Sequence, residues 1–307
     1  MQRILEPGQI ETLAQRSIPR IRLPARDRVF AARAERLRQL SDAHAFGDYL
    51  RLMASLVDAQ QSALAKFSAD VPTVDEIADA HAHRMPLVHA AAQTRAKDWL
   101  DILQDLCAAI AAAPHLPPAA TAAIDALRHA PAEHVEAQAA ALLAARSTGI
   151  DAASAPFIMA ALQVVWTGIA SRLSLDDAVP LDVPGVCPVC GTLPVASIIR
   201  TEKNYYGYRY LHCALCASEW HMVRVTCSQC EATKDIGYHA IDGASGAVRA
   251  ESCDACRTYR KILYQEKDAA VEPVADDLAS VALDLLMSEA GYHRGSGNPL
   301  LWQPPET

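Results

Sequence analysis

No apolar run in the 307 residues approaches the roughly 18 that a bilayer-spanning helix needs. The nearest, residues 157–166, is short and is broken by Gln163. Positive charge is also in deficit: 28 Lys and Arg stand against 36 Asp and Glu, a net −8, which argues against a general nucleic-acid binder. The Arg-rich N-terminal segment, residues 1–40, lacks the apolar stretch of a secretory signal and carries Glu6, Glu11, Asp27 and Glu35. It therefore reads as part of a mature, cytosolic chain. What is present is globular in composition, 51% hydrophobic and 21% charged, over a length that suggests two domains.

Eight of the nine cysteines form four Cys-x-x-Cys pairs: Cys187/Cys190, Cys213/Cys216, Cys227/Cys230 and Cys253/Cys256. Cytosolic thiols stay reduced, so such pairs are read as metal ligands rather than disulfides. Two residues between cysteines let one tight turn aim both thiolates at one ion, and two such turns complete a tetrahedral site of four sulfurs. Adding 40 to each cysteine of the first two pairs lands on one of the last two, the mark of a duplicated unit. Within each repeat 22 residues separate the turns, room for two or three short strands, the layout of zinc ribbons and rubredoxins. Three wirings are open: sequential, with pairs one and two sharing an ion and three and four another; cross-braced; or nested. The period favours the sequential wiring, because each copied unit would then bind its own ion. Thiolate ligation suits zinc and iron alike.

Upstream of residue 175 the pattern is helical. Phe46, Tyr49, Leu50, Met53, Leu56, Val57, Leu64 and Phe67 recur at helix-face spacing, as do Trp99, Leu103, Leu106, Cys107 and Ile110. Asp27 is a candidate cap for a helix through Leu40, Thr73 with Glu76 forms a capping box, and Gly149 with Asp151 reads as a stop and restart. Six to eight helices are expected. The boundary falls in residues 176–185, beyond which β-branched and aromatic residues dominate. The fold class expected is α+β and multidomain: an all-α domain with a basic leader over residues 1–178, a first rubredoxin-like or zinc-ribbon unit over 183–226, a second over 227–270, and a C-terminal helix and tail over 274–307.

Within residues 185–268 ten basic residues face nine acidic ones, and eight thiolates add further negative charge. A nucleic-acid-binding zinc ribbon would carry a basic excess. His212, Trp220 and His221 flank the second cysteine turn and are candidates to support a thiolate or to touch a partner; for the two histidines, exposed positions in loop or strand are the plainer reading. Tyr205, Tyr206, Tyr208 and Tyr210 suggest a hairpin wall around the metal rather than a stacking platform. Cys107 reads as a buried thiol. His81 and His83 cannot share a helix face. Arg20, Arg22, Arg26 and Arg28 read as a solvated leader, with an acidic partner surface as the alternative.

The segments CPVCG, LHCALCASEWHMVRVTCSQCE and CDAC resemble the FdhE family of formate dehydrogenase accessory proteins. PRIRLPARDRVFAARAERLRQL and DYLRLMASLVDAQQ resemble that family's N-terminal half. The resemblance implies a cytoplasmic accessory factor that binds the molybdenum- and selenocysteine-containing catalytic subunit of respiratory formate dehydrogenase before twin-arginine export, without oxidising formate itself. It also implies rubredoxin-like iron at the cysteines, favoured over zinc. The alternatives are an electron carrier of rubredoxin type, a thiol oxidoreductase and, less favoured, a nucleic-acid-binding ribbon. A homodimer is compatible with the sequence.

Overall fold

The structure, a computed structural model, describes residues 18–302 apart from 43, 69, 92–97, 114–115 and 147. Most of the leader read as mature chain, including Glu6 and Glu11, and the end of the tail lie outside the described residues.

Seven helices lie between residues 29 and 170 among the described residues: α1 Val29–Ser41, α2 Gly47–Lys66, α3 Val74–Ala82, α4 Trp99–Ala111, α5 Pro118–His129, α6 Ala132–Leu143 and α7 Ala155–Ala170. Arg28 occupies the N-cap of α1 with no side-chain cap bond, so Asp27 does not cap it. Thr73 and Glu76 do form the reciprocal capping box of α3. Asp151 prepares the restart of α7 by accepting from the Ser154 amide at 3.0 Å.

Helix α7 is buried along all its residues except Met159, because it is apolar around its whole circumference and packs against α2, α4 and α6. The run that comes nearest in sequence to a membrane span is thus the central helix of the domain. No described helix is long and apolar enough to cross a membrane.

The remaining chain builds one eight-stranded sheet. Its strands are β1 Ile21–Arg22, β2 Pro194–Ile199, β3 Arg209–Cys213, β4 Glu219–Met222, β5 Ile236–His239, β6 Val248–Cys253, β7 Thr258–Tyr264 and β8 His293–Arg294. The order is β1-β4-β3-β2-β7-β6-β5, with β8 also on β7. Each cysteine repeat supplies one antiparallel three-stranded unit, β2-β3-β4 and β5-β6-β7. The two units join through a parallel pairing of β2 with β7, Ser197 opposite Ile262. A buried ion pair also bridges them, Arg209 on β3 to Glu251 on β6 at 2.6 Å.

Two features depart from the expected layout. The leader is neither helical nor simply solvated: Ile21 and Arg22 pair antiparallel with Trp220 and Glu219 and cover the edge of β4. Arg22 forms ion pairs with Glu202 at 2.8 Å and Glu219 at 3.1 Å, Arg20 meets His221 Nδ1 at 3.3 Å, and Arg26 donates to the Leu64 carbonyl at 2.5 Å. The acidic residues met by Arg22 belong to the chain's own first unit, and Arg28 is exposed. The C-terminal region forms two short helices, α8 Pro273–Ala279 and α9 Val281–Glu289, and its tail re-enters the sheet as β8. Buried charges fasten this region: Lys261 reaches Asp284 at 2.7 Å, and Arg294 reaches Asp277 at 2.5 Å. On the other side, Arg33 and Arg36 of α1 pair with Glu272 and Asp276 at 3.0 and 2.6 Å.

Candidate metal centres

The eight paired cysteines collect into two clusters, Cys187, Cys190, Cys213 and Cys216 in one and Cys227, Cys230, Cys253 and Cys256 in the other. This is the sequential wiring. Each repeat brings its two turns together because β2 and β3, or β5 and β6, pair antiparallel, with Pro194 opposite Cys213 and Ile236 opposite Cys253, so the second turn returns beside the first.

Sulfurs from opposite turns lie 3.5 Å (Cys187–Cys216), 3.4 Å (Cys190–Cys213), 3.6 Å (Cys227–Cys256) and 3.7 Å (Cys230–Cys253) apart, and all four of each cluster lie within 4.8 Å of one another. A disulfide would need about 2.05 Å. A tetrahedron of thiolates around an ion with metal–sulfur bonds near 2.3 Å has edges of about 3.8 Å. The sulfur sets therefore fit a tetrahedral ion, of the kind zinc and iron form.

The four turns share one backbone device. The residue after the second cysteine of each pair is Gly191, Ala217, Glu231 or Arg257, and all four adopt positive φ, from 57° to 74°. Three of the four are not glycine, so the turn imposes the left-handed conformation at a cost of roughly 1 kcal/mol each. What it achieves is a turn that directs amides at sulfur: Leu215 and Cys216 donate to Cys213 Sγ at 3.3 Å, and Gln229 donates to Cys227 Sγ at 3.4 Å. Two residues after the second cysteine stands a hydroxyl in three of four turns. Thr192 lies 3.4 Å from Cys190 Sγ, Ser218 3.2 Å from Cys216 Sγ and Thr258 2.9 Å from Cys256 Sγ. Ala232 fills that position in the third turn.

The first cluster is enclosed between sheet and helices. All four cysteines are at most 1% exposed. The Val88 and Ala90 amides donate to the carbonyls of Val189 and Cys190 at 2.8 and 2.9 Å, and Gln163 of α7 donates to the Ala214 carbonyl at 2.7 Å. Gln163, the residue that interrupts the apolar run in sequence, is thus the one that grips a metal-binding turn. Burial pushes the Cys187 and Cys213 thiols well above their ordinary range. At Cys190 the same burial is outweighed by hydrogen bonds from Cys187, Cys213, Cys216 and Thr192, which hold that thiol well below it. Four sulfurs crowded into one dry space would repel one another once ionised, and a cation would relieve them. The second cluster is open on one side, with Cys230 exposed and Cys256 half-buried.

The flanking candidates do other work. His212 donates or accepts through Nδ1 with Glu219 at 3.0 Å, Trp220 donates to the Pro184 carbonyl at 2.7 Å, and His221 packs edge-on against Tyr208 and Tyr210. None of the three is hydrogen-bonded to a cysteine sulfur among the contacts described. The tyrosines face the leader: Tyr210 donates to the Pro19 carbonyl at 2.7 Å and Arg22 stacks over Tyr205, while Tyr206 is exposed. Cys107 is fully buried, and burial pushes its thiol up to about 11. His81 meets the Asp177 carbonyl at 2.7 Å. The non-cysteine side chains that touch sulfur, the hydroxyls at Thr192, Ser218 and Thr258, recur at one offset in the sequence, and that recurrence is the signal by which they could have been found.

A helical domain fused to two tandem three-stranded units, each carrying four cysteines grouped so that they could hold one metal ion, defines a protein of the four-cysteine ribbon class. Residues 18–182 match the FdhE N-terminal model, residues 186–224 the FdhE central domain and residues 225–301 the FdhE C-terminal domain. The chain belongs to the FdhE family. It is 42% identical over 281 residues to the FdhE homolog of Edwardsiella ictaluri, covering 91% of this chain and 90% of that one. It is 39% identical over 298 residues to FdhE of Salmonella paratyphi A, covering 97% and 96%. The crystal structure of the FdhE protein from Pseudomonas aeruginosa superposes with a TM-score of 0.83 at 40% identity, over 92% of this chain and 99% of that one.

Proposed function

We propose that this chain is a cytoplasmic accessory factor that binds the catalytic subunit of respiratory formate dehydrogenase before export, and that it carries one metal ion, iron in preference to zinc, in each four-cysteine cluster. It is not itself the enzyme. The observation that carries the reading is the pair of complete four-sulfur clusters in a chain aligned with the FdhE family through all three of its domains. A site closed by four thiolates has no open coordination position, so it offers no Lewis-acid catalysis; it staples a fold or relays an electron. When bound, iron would supply one-electron chemistry. The chain's own residues hold the sulfurs at tetrahedral spacing, direct amides and hydroxyls at them, and exclude water from the first cluster.

The test is affinity capture of the intact chain from cells that make a respiratory formate dehydrogenase. Recovery of the catalytic subunit is the expected result, and its absence with folded, metal-loaded protein would overturn the reading. A second reading, an electron carrier of rubredoxin type, draws on the exposed rim of the second cluster, which gives electrons a short path to the surface. It requires a red oxidised form with reversible one-electron reduction, and zinc in both clusters of protein purified without added metal removes it.

A further inference from the structure

We propose that the two clusters are not equivalent: the first is a buried staple, and the second is an exchange site whose divalent ion enters and leaves past Cys230. This rests on the reading that both clusters hold an ion.

Three observations carry it. In the first cluster every cysteine is at most 1% exposed, and both of its turns are hydrogen-bonded into the helical domain through Val88, Ala90 and Gln163. In the second, Cys227 and Cys253 are 6% and 2% exposed, whereas Cys230 is exposed and Gln229 and Glu231 beside it are exposed too. The third turn is anchored at one end alone: Arg260 donates to Ser228 Oγ at 2.9 Å, while the turn's described backbone bonds close within it, Glu231 to the Cys227 carbonyl at 3.0 Å and Cys227 to the Ala232 carbonyl at 2.8 Å. Finally, Cys230 lacks the hydroxyl that accompanies Cys190, Cys216 and Cys256, because Ala232 stands where Thr192, Ser218 and Thr258 stand in the other turns.

These differences act in one direction. A thiolate leaves an ion when a proton and a competing donor can reach it, and when the segment that carries it can move. Solvent reaches Cys230, and the backbone bonds described at its end of the turn stay within the turn. A hydroxyl bond to a thiolate is charge-assisted, so its lack at Cys230 weakens this ligand relative to its three counterparts. In the exchange step the bond from the ion to Cys230 Sγ breaks and the sulfur takes up a proton. The incoming donor, a thiol in the cell or a chelator in the test tube, gives up a proton and its lone pair takes the vacated position. No electron is gained or lost.

The experiment uses the full chain loaded with zinc. Elemental analysis comes first: two zinc ions per chain are expected, and fewer than two overturns the two-ion reading and the exchange proposal with it. An excess of a coloured chelator is then added. Release in two phases of equal amplitude is expected, the fast one at least about tenfold quicker, the factor that one charge-assisted hydrogen bond represents. Ala232→Ser supplies the missing hydroxyl at a surface turn and should slow the fast phase several-fold while the slow phase stays unchanged. In the loaded protein, a brief pulse of iodoacetamide read by mass spectrometry should label Cys230 before any cysteine of the first cluster. A single release phase with two ions bound, or first labelling at Cys187, Cys190, Cys213 or Cys216, overturns the division of roles while leaving the two-ion reading intact.

Discussion

Replacing Gln163 by leucine tests whether the helical domain holds the first metal turn by a specific bond or by packing alone. The side chain is 1% exposed; its Nε2 donates to the Ala214 carbonyl at 2.7 Å and its Oε1 accepts from Gln60 Nε2 at 2.9 Å. Leucine keeps the volume and removes both bonds, stranding the Ala214 carbonyl and one Gln60 N–H in a dry interior. Each orphaned group costs about 1–3 kcal/mol. Added apolar burial offsets about 1 kcal/mol of the sum. The net loss is roughly 1–5 kcal/mol, a large share of the 5–15 kcal/mol typical of folded domains. The slow chelator-release phase should quicken at the same time, because the turn at Ala214 loses its grip on α7 and keeps the longer Thr167 bond at 3.4 Å. Urea unfolding of the loaded protein measures the first effect and chelator kinetics the second. The Gln60→Leu/Gln163→Leu pair should cost less than the two single changes added together, since the stranded Gln60 donor goes with its partner. Stability of Gln163→Leu within about 0.5 kcal/mol of the parent, with unaltered slow release, would refute the reasoning.

Ala217 sits at φ 57° beside Cys216, so Ala217→Gly should raise the urea midpoint, a gain of up to about 1 kcal/mol. Gly191→Ala should lower it, since the new Cβ at φ 74° would stand 3.1 Å from Pro86 and His89 side-chain carbons. Glu251→Ala leaves the buried Arg209 charge unpaired and should cost about 3–5 kcal/mol in the same assay, while Arg209→Leu/Glu251→Leu recovers much of it. Burial, then the charges of Arg20 and Arg209, pushes the His221 imidazole down to about 4 from an ordinary 6.5. The unfolded chain therefore binds a proton in that interval that the folded chain does not, and stability falls as pH drops from about 6.5 towards 4. Burial would raise the Glu219 carboxyl, but Arg200, His212 and Arg22 outweigh it and hold it well below the carboxylate range, so its contribution is lost only below about pH 4.5. His221→Gln should flatten the pH dependence of the urea midpoint between pH 7 and 5, and an unchanged slope would refute the assignment.

The grouping of eight cysteines into two sets of four, the Thr73–Glu76 cap and the succession of helices and sheet were legible because each depends on spacing over a few residues. Asp27 was misread as a cap because an acidic residue before a helix is a weak signal when the chain enters from a strand; here β1 ends at Arg22 and Arg28 takes the cap position. His212, Trp220 and His221 drew attention by lying near cysteines in sequence. In a strand, neighbours point to opposite faces, so adjacency along the chain does not bring a side chain to the sulfur. The hydroxyls that do reach it sit two residues on, where the turn folds back.

By itself the sequence determined the chemistry: four Cys-x-x-Cys turns at a period of 40, each able to aim two thiolates at one point, because the geometry of a tight turn needs nothing beyond its own few residues. Tertiary structure alone decided the rest. The pairing of β2 with β7 joined two copied units into one sheet, β1 covered its far edge, and Gln163 turned an interruption in an apolar run into a tether. The burial that separates two chemically identical clusters came with them, since solvent exposure depends on which elements pack around a site, and those elements lie far away along the chain.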